Sequence, residues 1–425
     1  MKRTPPIPTP TTVKPNDNAD RRGGVATWAL AVAQLVSWGS IYYAFSLFVV
    51  PMESAMGWSR TATNAALSIG LLVSGLAAYP VGTWIDHGHG RRVMVWGSVL
   101  AAAMLALWSQ AHSLTTLFVV WFGLGIAMAA TLYDPVFAVI TRNFPSSFRT
   151  KVTLITLVAG FASTVFIPLT QGLVDWFGWR GALLALAAAN LAICLPLHVF
   201  AVGREPPHKD DASRNASLKE VNTITTQRAL RTPTFWALVV CFTAYYATFA
   251  ALTFHLVPLM TERGVSQALI IATMAMIGPA QVLARVLWFT IGHDIPPSIV
   301  GIVITIAFPA SVAILMCAGT SPPLLILFAI VYGGANGMMT ILRGTIVQDV
   351  MWTEGYGAVS GLLSMPSNIA KGIAPISAAA IWAIGGNYLL VEWTVLLVSL
   401  VSAVAFVMAM RFASDQKLAA QAVAK

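Results

Sequence analysis

Long apolar runs alternate with short polar connections along the chain. Twelve of these runs are close to the roughly 20 residues that a helix needs to cross the hydrocarbon core of a bilayer. Lipid offers no partners for backbone N–H and C=O groups, and a helix bonds its own, so each run predicts a transmembrane helix. The predicted spans are 26–51, 61–85, 93–111, 115–140, 152–174, 180–201, 234–260, 267–291, 298–318, 322–346, 358–384 and 389–410. The predicted fold class is an all-α integral membrane protein with twelve transmembrane helices.

A polar stretch separates the sixth run from the seventh. It predicts a cytoplasmic linker, 202–232, between an N-terminal six-helix bundle (25–201) and a C-terminal six-helix bundle (233–411). Residues 1–24 contain five prolines, five Lys or Arg residues and no apolar segment, which predicts a disordered cytoplasmic tail rather than a cleaved signal peptide. Residues 412–425 predict a second cytoplasmic tail.

The composition supports a membrane location. Of the 425 residues, 57% are hydrophobic and 10% are charged, and the mean hydropathy is +0.75. A soluble domain carries about 25% charged residues. The composition therefore excludes a soluble enzyme, a nucleic-acid-binding protein and a disordered scaffold, and it makes the lipid bilayer a partner. The sequence contains no metal-ligand spacing, no phosphate-binding Gly-rich loop and no nucleophile–base constellation, so we expect no metal, cofactor, ATP hydrolysis or enzymatic activity.

Basic residues predict the orientation. If the N-terminus is cytoplasmic, 19 of the 25 Lys and Arg residues fall in cytoplasmic segments, three in outer loops and three inside spans. This bias is the positive-inside pattern of membrane proteins. It assigns both termini to the cytoplasm, predicts a bacterial-type cytoplasmic (inner) membrane protein, and explains the net charge of +9 without nucleic acid.

The two halves of the sequence repeat each other. Trp28-Ala29-Leu30 recurs 208 residues later as Trp236-Ala237-Leu238. Five more positions recur at an offset of 207 or 208: Pro51 with Pro258, Gly57 with Gly264, Ser59 with Ser266, Gly70 with Gly278, and Asp86 with Asp294. Two similar bundles are the architecture of alternating-access transporters, in which the substrate binds near the midplane between the halves.

The loop after span 2 carries a family signature. It runs from Gly82 to Arg92 as GTWIDHGHGRR, and its Gly82, Asp86, Arg91 and Arg92 match the pattern G-x-x-x-D-[RK]-x-G-[RK]-[RK] of the major facilitator superfamily. The chain resembles this superfamily over nearly its whole length after residue 25. The resemblance implies a transporter of two pseudo-symmetric bundles whose loop latches the halves in the outward-facing state, with Asp86 as partner of a neighbouring helix end. His87 and one extra residue before Gly90 depart from the pattern.

Other motifs favour one branch of the superfamily. The sequence Gly57-Trp58-Ser59-Arg60, followed by a span rich in Ser and Ala, resembles the monocarboxylate and oxalate/formate porters. The drug/proton antiporters carry an Arg in span 4, where this chain has Val119, and a Gly-Pro motif in span 5 that 152–172 lacks. A drug or toxic-oxyanion efflux transporter is therefore the second hypothesis.

Charged side chains inside predicted spans are candidates for function, because a charge at the bilayer centre costs about 2.5–3.5 kcal/mol. Lys371 lies in the middle of span 11 and Arg285 in span 8. A guanidinium can grip a carboxylate with two parallel hydrogen bonds, and an ammonium attracts it as a point charge. The pair also resembles the substrate-binding Arg and Lys of the oxalate/formate branch. The alternative is structural pairing with carbonyls or a carboxylate.

The remaining intramembrane groups have two interpretations each. Asp134 in span 4 is either a proton carrier or a partner of Arg142 or Arg149. Arg343 in span 10 is expected to reach the membrane surface and pair with Asp349 or Glu354.

Polar residues of the first helix in each half complete the predicted site. His255 either faces the cavity or packs with hydrogen bonds. Tyr42 and Tyr246 are expected to line the cavity; each has a tyrosine beside it, and at most one of each pair can face it.

We therefore expect a secondary transporter, acting as a monomer, that moves a small organic anion (a mono- or dicarboxylate) by proton symport or anion exchange. Its predicted substrate-binding residues are Arg285, Lys371, Tyr42, Tyr246 and His255, and Asp134 is the candidate for proton coupling. A membrane sensor on the same scaffold is less favoured, because the longest predicted loop leaves no room for a signalling domain.

Overall fold

The residues that the structure describes form twelve helical spans. The computed structural model describes residues 17–144, 147–202, 211–291, 295–352 and 355–423, and these ranges contain helices and no strand. Ten helices are long and apolar enough to cross a membrane, and two of them, of 48 and 54 residues, are long enough to cross twice. Each of these two reverses direction at a glycine with positive φ, Gly88 (φ 86°) and Gly178 (φ 69°). The predicted number of spans is therefore confirmed.

The N-terminal bundle contains helices that are interrupted within the membrane. Span 1 comprises Asp17–Ser37, the π-helical turn Trp38–Tyr43 and Phe45–Met56; span 2 is Arg60–Trp84; span 3 is Gly90–Ser109, reached through the turn Ile85–His89; span 4 comprises Leu114–Thr131 and Tyr133–Asn143. Span 5 begins with Phe148–Ala159 and continues in the helix Ala162–Ala189 as far as Gly178; span 6 is the rest of that helix with Asn190–Cys194 and Leu195–Ala201.

The C-terminal bundle consists of longer uninterrupted helices. Spans 7 to 12 are Pro233–Glu262, Gln267–Thr290, Pro297–Ala318, Pro322–Val350, Tyr356–Gly385 and Leu389–Val423. Between the bundles lies a linker helix, Asp211–Leu230, inside the stretch predicted as a polar linker. Span 1 begins inside the predicted tail and span 12 extends into the other, so the apolar runs underestimate both terminal helices. We call the membrane face with the start of span 1 and the linker helix the termini side, and the opposite face the far side.

The internal repeat has a structural basis at the first turn of each half. Gly57 and Gly264 follow spans 1 and 7 and both adopt positive φ, 67° and 75°. Ser59 and Ser266 then precede spans 2 and 8 with extended backbones. Only glycine adopts the left-handed conformation at little cost, so these positions repeat because both bundles make the same turn. Asp294, the last position of the repeat, lies outside the described residues.

Glycines allow spans 2 and 11, which belong to different bundles, to pack closely. A Cβ at Gly82 would overlap the Gly357 carbonyl group, and a Cβ at Gly361 would overlap the Ala78 carbonyl group. The antiparallel contact continues to Ser68, whose carbonyl oxygen would lie 3.3 Å from a Cβ at Gly372. Small residues of this kind bring helix backbones together where lipid provides no hydrophobic driving force.

The buried apolar core also joins the bundles on the termini side. One cluster combines the C-terminal bundle with residues such as Val93, Phe137 and Phe148 of the N-terminal bundle. A second cluster, around Phe45, Trp108 and Trp121, lies entirely within the N-terminal bundle.

Candidate functional site

A cluster of charged and aromatic side chains lies between the bundles near mid-membrane. The Nζ atom of Lys371 lies 4.0 Å from the ring centre of Tyr246, and the guanidinium carbon of Arg343 lies 5.5 Å from the same ring. Tyr246 sits on span 7, Arg343 on span 10 and Lys371 on span 11. A tyrosine ring face attracts cations, so Tyr246 holds two positive charges near each other in one place.

Asp134 of the N-terminal bundle neutralises one of these cations. Arg343 Nη2 lies 2.8 Å from Asp134 Oδ1 and 3.0 Å from Oδ2, and it also donates to Ser364 Oγ. The side chains are 24% (Asp134) and 13% (Arg343) exposed. The ion pair crosses from one bundle to the other, so it connects the site directly to their relative position.

The partners of these charges differ from those predicted. Asp134 pairs with Arg343, not with Arg142 or Arg149, and Arg343 contacts Asp134 and Ser364 rather than Asp349. Asp349 pairs with Arg149 instead, and Glu354 lies outside the described residues. The expectation was wrong because a residue's depth in a sequence segment does not reveal which helix it faces.

Arg285 is buried at the contact between spans 5, 8 and 10. Its side chain is 3% exposed, and its Nε donates to the Gly337 carbonyl oxygen at 3.0 Å. Its Nη1 atom lies where a Cβ of Gly160 would be, and it has no acceptor among the described residues. Arg285 thus lies against the N-terminal bundle, and its Nη1 group has no hydrogen-bond acceptor among the described residues.

Lys371 has spare hydrogen-bonding capacity as well. An ammonium group has three N–H donors, and the acceptor that the structure gives to Nζ is Asn368 Oδ1 at 3.4 Å. Lys371 and Arg285, the two cations predicted to bind substrate, both lie at the interface of the bundles. Neither has a carboxylate partner within the described ranges.

An aromatic wall formed by the N-terminal bundle faces these cations. The π-helical turn of span 1 carries Trp38, Tyr42 and Tyr43, and the Trp38 ring lies 5.0 Å from that of Tyr133 on span 4. Arg285 lies within electrostatic range of Tyr43 and Tyr133. The buried Trp38 Nε1 has no acceptor in the part of the chain described. π-Helical turns are frequent at functional sites.

The two adjacent tyrosines of span 1 differ in burial from the two adjacent tyrosines of span 7. In span 7, Tyr246 meets the cations, whereas Tyr245 is 1% exposed and packs 4.6 Å from the Phe308 ring. In span 1, Tyr42 and Tyr43 are both half-buried at the interface, because the π-helical turn widens the helix. Tyr43 and Tyr133 are therefore candidate site residues that the sequence prediction missed. The available signal was that Tyr133 directly precedes Asp134 in the sequence.

The predicted role of His255 needs correction. Its Nδ1 lies 2.9 Å from the Tyr388 hydroxyl and its Nε2 lies 2.9 Å from the Pro375 carbonyl oxygen. Both ring nitrogens are thus occupied by the protein, and both contacts stay inside the C-terminal bundle. His255 connects span 7 to span 11 and to the start of span 12, which is the packing alternative.

The loop after span 2 contacts the start of span 11. Asp86 accepts hydrogen bonds from the backbone N–H groups of Gly357 (3.0 Å) and Ala358 (2.8 Å). These N–H groups have no intrahelical partner, so the carboxylate caps the helix. Burial raises the pKa of Asp86 to about 6, while the two N–H bonds act in the opposite direction. The left-handed Gly88 accommodates the extra residue of the motif.

The basic residues in and near this loop differ in their contacts and exposure. Arg142 donates to the Asp86 carbonyl oxygen. Arg91 is half-buried and Arg92 is exposed, and neither pairs with a carboxylate in the described ranges. Gly82 lies against Gly357 as described above. The latch role of Gly82, Asp86, Arg91 and Arg92 remains a prediction.

Two further polar contacts join the bundles on the termini side. Arg149 pairs with Asp349, and Gln348 Nε2 donates to Thr141 Oγ1 at 2.9 Å. Far-side polar contacts such as Arg263 with Glu392 and Arg180 with the Ser109 carbonyl oxygen stay within one bundle. Within the described ranges no group of His, Cys, Asp or Glu could hold a metal ion.

Comparison with known proteins agrees with this architecture. Monocarboxylate transporter 13 of Rattus norvegicus is 25% identical over 350 residues, which cover 81% of this chain and 79% of the relative. Monocarboxylate transporter 12 of Xenopus laevis is 25% identical over 344 residues, 75% of this chain and 74% of the relative. The structure of the human organic anion transporter MFSD10 superimposes with a TM-score of 0.65 at 17% identity, covering 92% of this chain and 100% of the other.

The family profile covers most of the molecule. A sequence profile of the Major Facilitator Superfamily matches residues 30–375, a range that includes all of the N-terminal bundle after the first turns of span 1 and the charged cluster. Together with the twelve spans and the repeated halves, this match identifies the chain as a multi-pass transporter, not an enzyme, near the monocarboxylate branch. The protein belongs to the major facilitator superfamily.

Proposed function

We propose that this transporter moves a small organic anion, a mono- or dicarboxylate, across the bilayer by alternating access. The observation that carries the proposal is the pair of cations at the interface of the bundles, Arg285 and Lys371, that lack a carboxylate partner in the described residues. The third cation, Arg343, is already paired with Asp134. A charge held in the membrane needs a counter-charge, and a substrate carboxylate would supply it.

The hydrogen-bond inventory of the site supports an acceptor-rich ligand. Arg285 Nη1 and Trp38 Nε1 are buried donors without an acceptor among the described residues, and Lys371 uses one of its three donors. A carboxylate offers two oxygens and about four lone-pair directions, and it has no proton to donate. Such a ligand would satisfy these donors, whereas a cation would add to the positive charge.

The names of the relatives point to the same substrate class. Two curated relatives are monocarboxylate transporters, and a structural neighbour is an organic anion transporter. In this chain, however, the span 8 Arg has Gln281 one turn before it, where monocarboxylate porters place an acidic residue. The coupling scheme of that branch is therefore not carried over.

The orientation and conformation form a second part of the proposal. The excess of Lys and Arg on the termini side supports a cytoplasmic location of both termini, in a bacterial-type inner membrane. Apart from the Asp134–Arg343 pair of the candidate site, the polar contacts between the bundles that we describe lie on that side, so this conformation would be closed towards the cytoplasm and would receive substrate from outside.

Asp134 is the candidate for proton coupling. A proton on Asp134 would compete with Arg343 for the same carboxylate oxygens, so proton binding and opening of this inter-bundle pair would be linked. Proton symport and anion exchange remain two forms of the proposal. An imposed pH gradient that drives uptake supports symport, and acceleration by anion inside the vesicle supports exchange.

The test is uptake of labelled mono- and dicarboxylates by proteoliposomes. Wild type is compared with Lys371→Gln and Arg285→Gln, and with Arg411→Gln as a control for loss of one exposed cation from a span. We expect saturable uptake of at least one acid. Either site variant should reduce it about tenfold or more, because a charge-assisted hydrogen bond contributes about 1.5–3 kcal/mol. The control should be unchanged.

Two results would contradict the proposal. Uptake that survives both site substitutions would make the two cations structural. An absence of acid uptake by correctly folded wild type, together with transport of a drug or toxic oxyanion, would favour efflux instead.

A further inference from the structure

An apolar groove of about 610 Å³ runs along the lipid-facing side of the C-terminal bundle. Spans 7, 11 and 12 form its walls, and it is separate from the charged cluster. Span 12 packs along span 7 but only loosely against span 11. Alanines such as Ala247, Ala370 and Ala374 line the resulting gap. Their short side chains leave the space between the helices unfilled.

The groove extends through most of the membrane. Its lining residues run from Phe235 to Ala251 on span 7 and from Leu362 to Ile381 on span 11. At 1.5 Å per residue these stretches are about 24 and 28 Å long, close to the roughly 30 Å thickness of the hydrocarbon core. Most of the side chains that line it along this length are apolar, so the groove suits a hydrocarbon chain that lies parallel to the helices.

The groove ends on the termini side beside positive charge. Leu230 and Trp236 line this end, and Trp236 Nε1 donates to the Leu230 carbonyl oxygen at 2.7 Å. Arg231 follows Leu230 directly, is exposed, and has no carboxylate partner among the described residues. Arg228 is also exposed, with its guanidinium 4.4 Å from the Trp352 ring centre. The apolar groove therefore ends at a residue directly next to Arg231 in the chain, with Arg228 three residues before Arg231.

We propose that this groove binds one acyl chain of an anionic phospholipid whose phosphate contacts Arg231 and Arg228. Arginine matches phosphate with two parallel hydrogen bonds, and the apolar lining replaces bulk lipid around the chain. The charge at one end and the length of the groove together select a phospholipid over a neutral hydrocarbon. Span 11, which also carries Lys371, would form one wall of this lipid site. It does not depend on the identity of the transported substrate.

The test is native mass spectrometry of the full chain during titration with dioleoyl-phosphatidylglycerol or dioleoyl-phosphatidylcholine. Wild type should retain one phosphatidylglycerol in preference to phosphatidylcholine. Arg231→Gln should reduce that preference roughly fivefold, which corresponds to about 1 kcal/mol per basic residue near a membrane surface. Glycerophosphate, which has the headgroup charge but no chain, should not bind.

A groove-filling variant tests the position of the acyl chain. Val398→Trp places a ring in the groove from span 12, and Val303→Trp places the same ring on the 61% exposed face of span 9. We expect the first substitution to weaken binding of both lipids and the second to leave binding unchanged.

Several results would overturn the proposal. The first is equal retention of the two lipids by wild type, and the second is unchanged lipid binding by Val398→Trp. The third is a dimer of wild type that is lost in Val398→Trp, which would show that the groove is an interface between two copies of the chain. If Val398→Trp does not fold, Arg231→Gln and Arg228→Gln still decide the outcome, because these surface residues do not contribute to the core.

Discussion

The termini side and the far side of the bundle interface are built differently. On the termini side, Asp86, Arg149 and Gln348 take part in polar contacts that cross between the bundles. On the far side, contacts such as Arg263 with Glu392 hold single bundles together. The difference implies that each bundle is a stable unit and that the closed termini side depends on a small number of breakable contacts.

The balance between the two sides can be measured with spin labels. Labels on the exposed residues Asn143 and Ser414 would report the termini side, and labels on Gln110 and Thr320 the far side. Each pair joins one residue of each bundle. Substitutions that weaken the termini side should lengthen the first distance and shorten the second, without a loss of helical content.

The largest effect is expected from Asp134→Asn. The substitution leaves Arg343 charged and without its carboxylate inside the membrane, and breaking one half of such a pair costs about 3 kcal/mol or more. The conformation that is closed on the termini side should lose most of its population, and proteoliposome uptake should fall with it.

A double-mutant cycle provides the control for this substitution. Arg343→Gln removes the other charge, so the double variant should be less impaired than the sum of the single variants. Additive effects would show that Asp134 and Arg343 do not act as a pair.

The next largest effect is expected from Gly82→Leu, which inserts a side chain between spans 2 and 11. Both helices present backbone at this contact, with the Gly357 carbonyl group against Gly82, so no side chain can move aside. Overpacking typically costs about 1–3 kcal/mol, and the termini-side distance should lengthen in at least half of the molecules. Gly172→Leu on span 5, where a Cβ has no neighbour within 4 Å, is the control. An equal response of both variants would contradict a specific contact between spans 2 and 11.

A smaller effect is expected from the ionisation of Asp86. Burial raises its pKa to about 6 in the closed conformation, whereas an aspartate exposed by opening has an ordinary pKa near 3.9. The closed conformation therefore binds the proton more tightly, and its population should rise as the pH falls from 7 to 5. Asp86→Asn cannot titrate, so it should flatten this dependence. A slope that persists in Asp86→Asn would assign the effect to another group.

The sequence predicted features that are encoded locally. The length of an apolar run determines whether a helix can cross the bilayer, so the number of spans was correct. Gly57 and Gly264 revealed the repeat because each is required by a turn within a few residues of it. Lys371 lies near the middle of its helix, Tyr356–Gly385, as its distance to both ends of the apolar run predicted.

Features that depend on which helices face each other could not be predicted in this way. Asp134 and Arg343 are separated by 209 residues, and the order of spans does not show that spans 4 and 10 meet. The two hydrogen-bond partners of His255 likewise lie on span 11 and on the residue that precedes span 12. The π-helical turn that places both Tyr42 and Tyr43 at the interface has no signal in the apolar pattern.

The smallest effect is expected from Arg149→Gln, although this residue forms one of the visible ion pairs between the bundles. Arg149 is 54% exposed and Asp349 is 16% exposed, so water competes with the pair and salt screens it. Exposed pairs contribute about 0.2–1 kcal/mol, which changes an equilibrium by about fivefold at most. The distance distribution on the termini side should shift slightly at low salt and converge on that of wild type at 1 M salt. A shift as large as that of Asp134→Asn would show that the surface pair, rather than the pair inside the membrane, holds the bundles together. The comparison of the two pairs therefore separates closure by charges within the spans from closure by charges at the surface.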